Sequence, residues 1–192
     1  MSDTDTHSDN LSRADAVRAE APFEGWNDAM LARAADHAGH GEGDVALYLP
    51  GGVIDLLAYW SESADAAAEA AIRESAQPMK IREKITRAAL LRLEQYAGEE
   101  DAADRARARL LLPDAAARGA RLLWSTSDMI WRAIGDTSTD GNFYSKRTIL
   151  SGVYASTLAM FLRENDPAKP NTKAFLDRRI QNVMEFEKVK AR

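Results

Sequence analysis

Apolar residues recur along most of this chain at spacings of three and four, the period of an amphipathic helix. A first helix opens between Pro22 and Gly25, sets Trp26, Met30, Ala34 and His37 on one stripe, and ends at Gly39, Gly41 and Gly43. A short helical turn from Val45 to Leu49 stops at Pro50-Gly51-Gly52, and the next helix buries Val53, Leu56, Leu57 and Trp60 before an Ala-rich run from Ala64 to Ala71. Pro78 suits the first turn of a helix from Met79 to Ala97, with Ile81, Ile85, Ala88 and Ala89 inward. A charged segment from Asp101 leads to Leu110-Leu111-Leu112-Pro113, after which a helix runs to Ile134. A long apolar helix spans Phe143 to Arg163, and Pro167 and Pro170 separate it from a last helix over Thr172 to Val189. No segment alternates with period two. The pattern predicts an all-α fold of roughly eight or nine helices.

Between two of these helices lies a polar, Gly-bounded stretch, Gly135 to Arg147, that ends in the adjacent aromatics Phe143 and Tyr144. Neighbours on a helix point about 100° apart, so both rings cannot face the same core, and at least one faces outward. An outward aromatic beside a polar rim is the composition of a contact surface. Capping accounts for the residues before it: Gly135 suits the position after a helix end, and Asp140 or Asn142 suits the start of the next.

Composition narrows the chemistry. The 192 residues fit one domain, and the 45% apolar and 29% charged content is that of a globular protein. Cys is absent, which excludes disulfides, thiolate catalysis and Cys-ligated metals. The three histidines are His7, His37 and His40. His37 and His40 with Glu42 and Asp44 form a weak metal pattern among flexible glycines, and no Glu-x-x-His pair of the di-iron bundle type occurs. There is no nucleophile elbow and no phosphate loop. No metal, cofactor or catalytic residue is expected. Residues 1–20 carry Asp3, Asp5, Asp9, Asp15 and Glu20 and no apolar block, which reads as a disordered acidic tail rather than a signal or transit peptide. A cytoplasmic protein is the simplest expectation.

The order of the first three helices is that of a helix-turn-helix. A DNA reader neutralises phosphates with Lys and Arg, yet Ala34 to Ile72 contains neither. The same stretch carries Asp36, Glu42, Asp44, Asp55, Glu62, Asp65 and Glu69, so the motif has the shape without the chemistry, and no nucleic acid is expected as a partner. A ligand-responsive regulator of TetR type is the alternative reading.

Several segments, taken in order, resemble the coenzyme Q biosynthesis protein nine family. They are Gly25-Trp26, Leu49-Pro50-Gly51-Gly52-Val53-Ile54-Asp55-Leu56, Lys80-Ile81-Arg82, Gly135-Asp136-Thr137-Ser138-Thr139-Asp140, Asn142-Phe143-Tyr144-Ser145-Lys146-Arg147 and Phe175-Leu176-Asp177-Arg178-Arg179-Ile180. The resemblance covers Gly25 to Met184. It implies a TetR-like helical bundle with a degenerate helix-turn-helix at its N-terminal end (residues 21–75) and a lipid-binding helical part of the same domain (residues 76–192). It implies a homodimer that binds an isoprenoid quinone or phospholipid and presents a demethoxyubiquinone-type intermediate to a di-iron hydroxylase, without being an enzyme itself.

By the same resemblance the hydroxylase-binding patch comprises Phe143, Tyr144, Ile130, Asp140 and Asn142. Phe143 stands where the family pattern has Trp, and Gly141 where it has a larger apolar residue. Trp124, Met129, Trp131, Tyr154, Leu158, Phe161 and Met184 are candidate liners of the lipid cavity, or else ordinary core. After Met184 only Phe186 and Val189 are large and apolar, so membrane contact is expected to be weak or made through a partner, on the inner face of the membrane.

Overall fold

The computed structural model describes residues 25–190, except Ala38, His40, Ala76 and Asp140; the side chains of Glu42 and of residues 184–190 are likewise outside the description. The expected acidic tail over residues 1–20 lies outside the described residues, as do His7 and His40. The described residues form eight α-helices and no strand. They are α1 (Asp28–His37), α2 (Glu42–Tyr48), α3 (Val53–Glu74), α4 (Ile81–Leu93), α5 (Glu100–Leu110), α6 (Ala116–Ala133), α7 (Gly141–Phe161) and α8 (Pro170–Lys190), with a 3-10 turn at Glu94–Tyr96 after α4. The expected all-α class and the helix-turn-helix order of α1 to α3 are both present.

Contacts divide the chain into two compact units. One is the described part of residues 1–61 with Asp101–Gly119; the other is Glu62–Glu100 with the described part of Ala120–Arg192. Residues 101–110 of α5, expected only as a charged segment, belong to the first unit. Its Ala102, Ala103 and Ala106 are buried. Small side chains let the backbone come close enough for Trp26 Nε1 to donate to the Ala102 carbonyl at 2.9 Å. The Trp26 indole also packs on Trp60, ring centroids 5.4 Å apart.

Helix starts follow the caps rather than the apolar stripe. Trp26 is buried but precedes α1, because the Asn27 Oδ1 accepts the Met30 N–H at 2.9 Å and sets the first turn after itself. Pro78 falls outside α4, whose start is fixed when the Lys80 N–H donates to Glu83 Oε2 at 3.0 Å. The start of α3 is tied to α1: Asp28 Oδ1 accepts the Val53 N–H at 3.0 Å. Gly52, immediately before, has φ of 62°, and a Cβ there would stand 2.4 Å from that same Asp28 oxygen.

In the second unit α4, α7 and α8 pack together around Ile85, Leu150, Leu176 and Ile180. The α7–α8 connection is pinned at both ends. Lys169 Nζ donates to the Phe161 and Glu164 carbonyls at 3.1 and 2.7 Å, closing the end of α7. The Glu164 carboxylate accepts the Asn171 and Thr172 N–H groups, both at 2.8 Å, and starts α8. The core of this unit also holds a charged cluster. Arg92, 1% exposed, donates to Asp65 at 2.5 Å and to the Tyr96 hydroxyl at 3.0 Å, and Thr126 Oγ1 donates to the same Asp65 carboxylate at 2.8 Å.

Candidate functional site

The connection from α6 to α7 carries the site. Helix α6 is followed by a turn at Gly135, whose φ of 91° only glycine adopts freely. The Gly135 N–H donates to the Arg132 carbonyl at 3.0 Å and the Asp136 N–H to the Trp131 carbonyl at 2.9 Å, a Schellman closure. This turn places Asp136 at the centre of a hub. Its carboxylate accepts Ser138 Oγ at 2.7 Å, Lys146 Nζ at 2.8 Å and Arg147 Nη1 at 3.4 Å. Burial alone would raise the Asp136 pKa, but the hydrogen bonds from Lys146 and Ser138 outweigh it and hold the carboxyl below the usual range. Polar residues that capping alone would explain are thus bound into a charged network.

Arg147 is the second anchor of this network. Only 1% of its side chain is exposed, and its Nε donates to Asp128 Oδ1 on α6 at 2.6 Å. Its guanidinium carbon lies 3.5 Å from the centroid of the Phe143 ring, one turn earlier on α7. The Phe143 and Tyr144 rings meet edge to face, 5.1 Å apart at 77°. Tyr144 is 65% exposed and Phe143 half-buried, which agrees with the expectation that the two rings do not share a core. A third aromatic joins them. Trp124, read from the sequence as a cavity liner, stands on α6 with its ring 6.2 Å from Tyr144. Of the other residues assigned to the patch, Asn142 is exposed, Ile130 is completely enclosed, and Asp140 lies outside the described residues.

Beside this patch an open cleft of about 360 Å³ runs along α7. Its walls are Ile81 and Ile85 of α4, Trp131 of α6, Ile149, Leu150 and Val153 of α7, and Ile180 and Val183 of α8. Asp136, Asn142, Ser145 and Lys146 complete the lining, so polar groups cluster at the first turns of α7 and aliphatic ones further along it. Trp131 is fastened there: its Nε1 donates to the Lys146 carbonyl at 3.2 Å, and Lys146 Nζ stands 5.2 Å over its ring. Such a cleft can take a molecule with a polar head and an apolar body.

The structure brings few of the sequence-assigned cavity residues to this cleft. Trp131 lines it; Met129, Tyr154, Leu158 and Phe161 are buried elsewhere in the core. The Met184 side chain lies outside the described residues. Tyr154 sits beside the Arg92 cluster, where burial pushes its phenol well above the ordinary tyrosine range, and its hydroxyl meets no hydrogen-bond partner among the described residues. The cleft's own walls are mostly β-branched aliphatics. Nothing in the sequence singles them out: they are apolar positions on α4, α7 and α8 that the fold leaves partly open, such as Ile81, which is 44% exposed.

Among the described residues there is no group of three or more His, Asp or Glu side chains that could hold a metal ion, and no helix long and apolar enough to cross a membrane.

Part of this candidate site lies in a stretch that resembles known proteins. The COQ9 family profile matches residues 116–187, which hold α6, α7 and most of α8. The chain is similar to the ubiquinone biosynthesis protein COQ9, mitochondrial, of Rattus norvegicus, 39% identical over 80 residues, 42% of this chain and 26% of the relative. It is 34% identical to the human protein of the same name over 80 residues, 42% of this chain and 25% of the relative. A probable ubiquinone biosynthesis protein coq9 of Dictyostelium discoideum is 33% identical over 63 residues, 33% of this chain and 20% of the relative. The matched stretch thus spans about a quarter or less of the length of these relatives.

Proposed function

From the COQ9 pattern carried by residues 116–187, we propose that this protein is a non-catalytic accessory protein of ubiquinone biosynthesis. It binds a quinone-type lipid in the α7 cleft and presents it to a di-iron hydroxylase that docks on the Phe143–Tyr144 patch. The observation that carries this reading is the adjacency of cleft and patch on α7, a helix inside the matched stretch: Asn142, Ser145 and Lys146 line the cleft, while Phe143 and Tyr144 stand on the same first turns of α7.

The chemistry supports it. A volume of about 360 Å³ suits a substituted ring with the start of an isoprenoid tail, and the open mouth leaves room for the remainder. Ser145 and Asn142 offer hydrogen bonds to ring oxygens, and the aliphatic walls offer burial at about 25 cal/mol per Å² of apolar surface. The names of the relatives supply the pathway.

Two experiments test the reading. Deleting the gene should lower ubiquinone and raise a demethoxy intermediate; unchanged quinone pools would refute it. Native mass spectrometry should detect a lipid that co-purifies with the protein. Val153→Trp, which puts an indole into the cleft, should remove that lipid while the helix content stays the same.

A further inference from the structure

Phe143 is half-buried at the first turn of α7, and a cation stands against its ring. Arg147 lies one helical turn on, and its guanidinium stands 3.5 Å from the Phe143 ring centroid while its Nη1 donates to the Phe143 carbonyl at 3.1 Å. Asp128 and Asp136 fix that guanidinium from α6 and from the loop after it, at 2.6 and 3.4 Å. Both carboxylates are shared, Asp128 with Arg132 and Asp136 with Lys146, and only 1% of the Arg147 side chain meets solvent. Arg147 therefore offers no charge to anything that docks; it acts through the ring it covers.

We propose that Arg147 is the positioning residue of the aromatic patch: anchored by Asp128 and Asp136, it sets the ring of Phe143 edge to face with Tyr144, and this ordered pair fits an apolar recess on a protein partner. The exposed Tyr144 hydroxyl and ring, with Trp124 behind them, have the composition of an anchor that enters a pocket rather than of a flat charged contact. Holding the pair in its bound geometry beforehand removes part of the ordering cost of association. The inference rests on the reading of the patch as a docking surface.

Lysine separates positioning from mere charge balance. In Arg147→Lys an ammonium still partners both carboxylates, but it has no planar face to lay on a ring and no second arm. The expected result is a folded protein in which the nuclear Overhauser contacts between the Phe143 and Tyr144 rings weaken, and the hydroxylase proposed above binds less tightly by on the order of tenfold. Asp128→Ala, at a partly exposed position, should move both readouts in the same direction. In the wild-type protein the Arg147 Nε–H resonance should exchange slowly and carry the ring-current shift of a group stacked on an aromatic face, a signature that needs no variant. Absence of that shift overturns the proposal, as does a folded Arg147→Lys protein with unchanged ring contacts and affinity. Phe143→Ala with Tyr144→Ala is the reference: if that double variant also keeps full binding, the docking surface itself is misassigned. If the double variant loses binding while Arg147→Lys keeps it, only the positioning role fails.

Discussion

Asp136 illustrates how much a single carboxylate organises at the residue scale. Its folded-state pKa is depressed, so the stability it contributes is present above the unfolded carboxylate value of about 3.9 and is lost as pH falls through the folded value. The carboxyl carbon of Asp136 should therefore titrate below the ordinary aspartate value by NMR, and Ser138→Ala or Lys146→Ala should move it upward. Titration at the ordinary value would mean that the hub is not formed in solution. Arg92 is the opposite kind of residue, a cation enclosed in the second unit. Burial alone would lower its pKa, but Tyr154, Tyr96 and Asp65 raise it, so it stays charged. Arg92→Met leaves the Asp65 carboxylate without its guanidinium and should destabilise the protein by about 3–5 kcal/mol in urea unfolding.

Two joints dominate at the element scale. At the start of α3, Gly52→Ala forces a left-handed φ on a residue with a Cβ and drives that Cβ onto Asp28, which must then release the Val53 N–H. The expected cost is roughly 1–3 kcal/mol, read from the Trp26 and Trp60 fluorescence of the unit that holds this joint. At the start of α8, Glu164→Ala removes the acceptor of two backbone N–H groups and should speed hydrogen exchange over the first turn while leaving the centre of α7 protected. Most helices were legible, because the three-and-four spacing of apolar residues is local information, but α5, with its small buried alanines, read only as a charged segment. Their starts were less so, since Asn27, Lys80 with Glu83, and Glu164 act through hydrogen bonds that periodicity does not record. The outward face of Tyr144 was legible from the angle between helix neighbours. The cleft was not: its walls come from α4, α6, α7 and α8, and half-exposed Ile149 and Val153 look like any other aliphatics on a helix. Large aromatics drew attention to Tyr154 and Phe161 instead, which are buried away from this cleft.

At the scale of the whole molecule, charge is what sets the proposed lipid carrier apart from a regulator built on the same helices. The chain is acidic, with a formal charge of −5. The segment from Ala34 to Ile72, which holds α2 and most of α3, carries no Lys or Arg, and its Asp36, Asp44 and Glu62 are exposed. The first turns of α3, where a DNA reader would display polar side chains, bury Val53, Leu56 and Leu57 instead. Specific DNA proteins draw much of their affinity from phosphate neutralisation, and a surface with acidic groups in that position raises the potential a duplex must overcome. The purified protein should therefore show no gel shift on its own promoter region even at about 50 mM salt, where phosphate contacts are strongest. A shift that weakens as salt rises would restore the regulator reading, and would require basic groups outside α2 and α3 to carry it. Loss of the co-purifying lipid in Val153→Trp, with no DNA binding in either protein, would leave the cleft on α7 as the site where this molecule does its work.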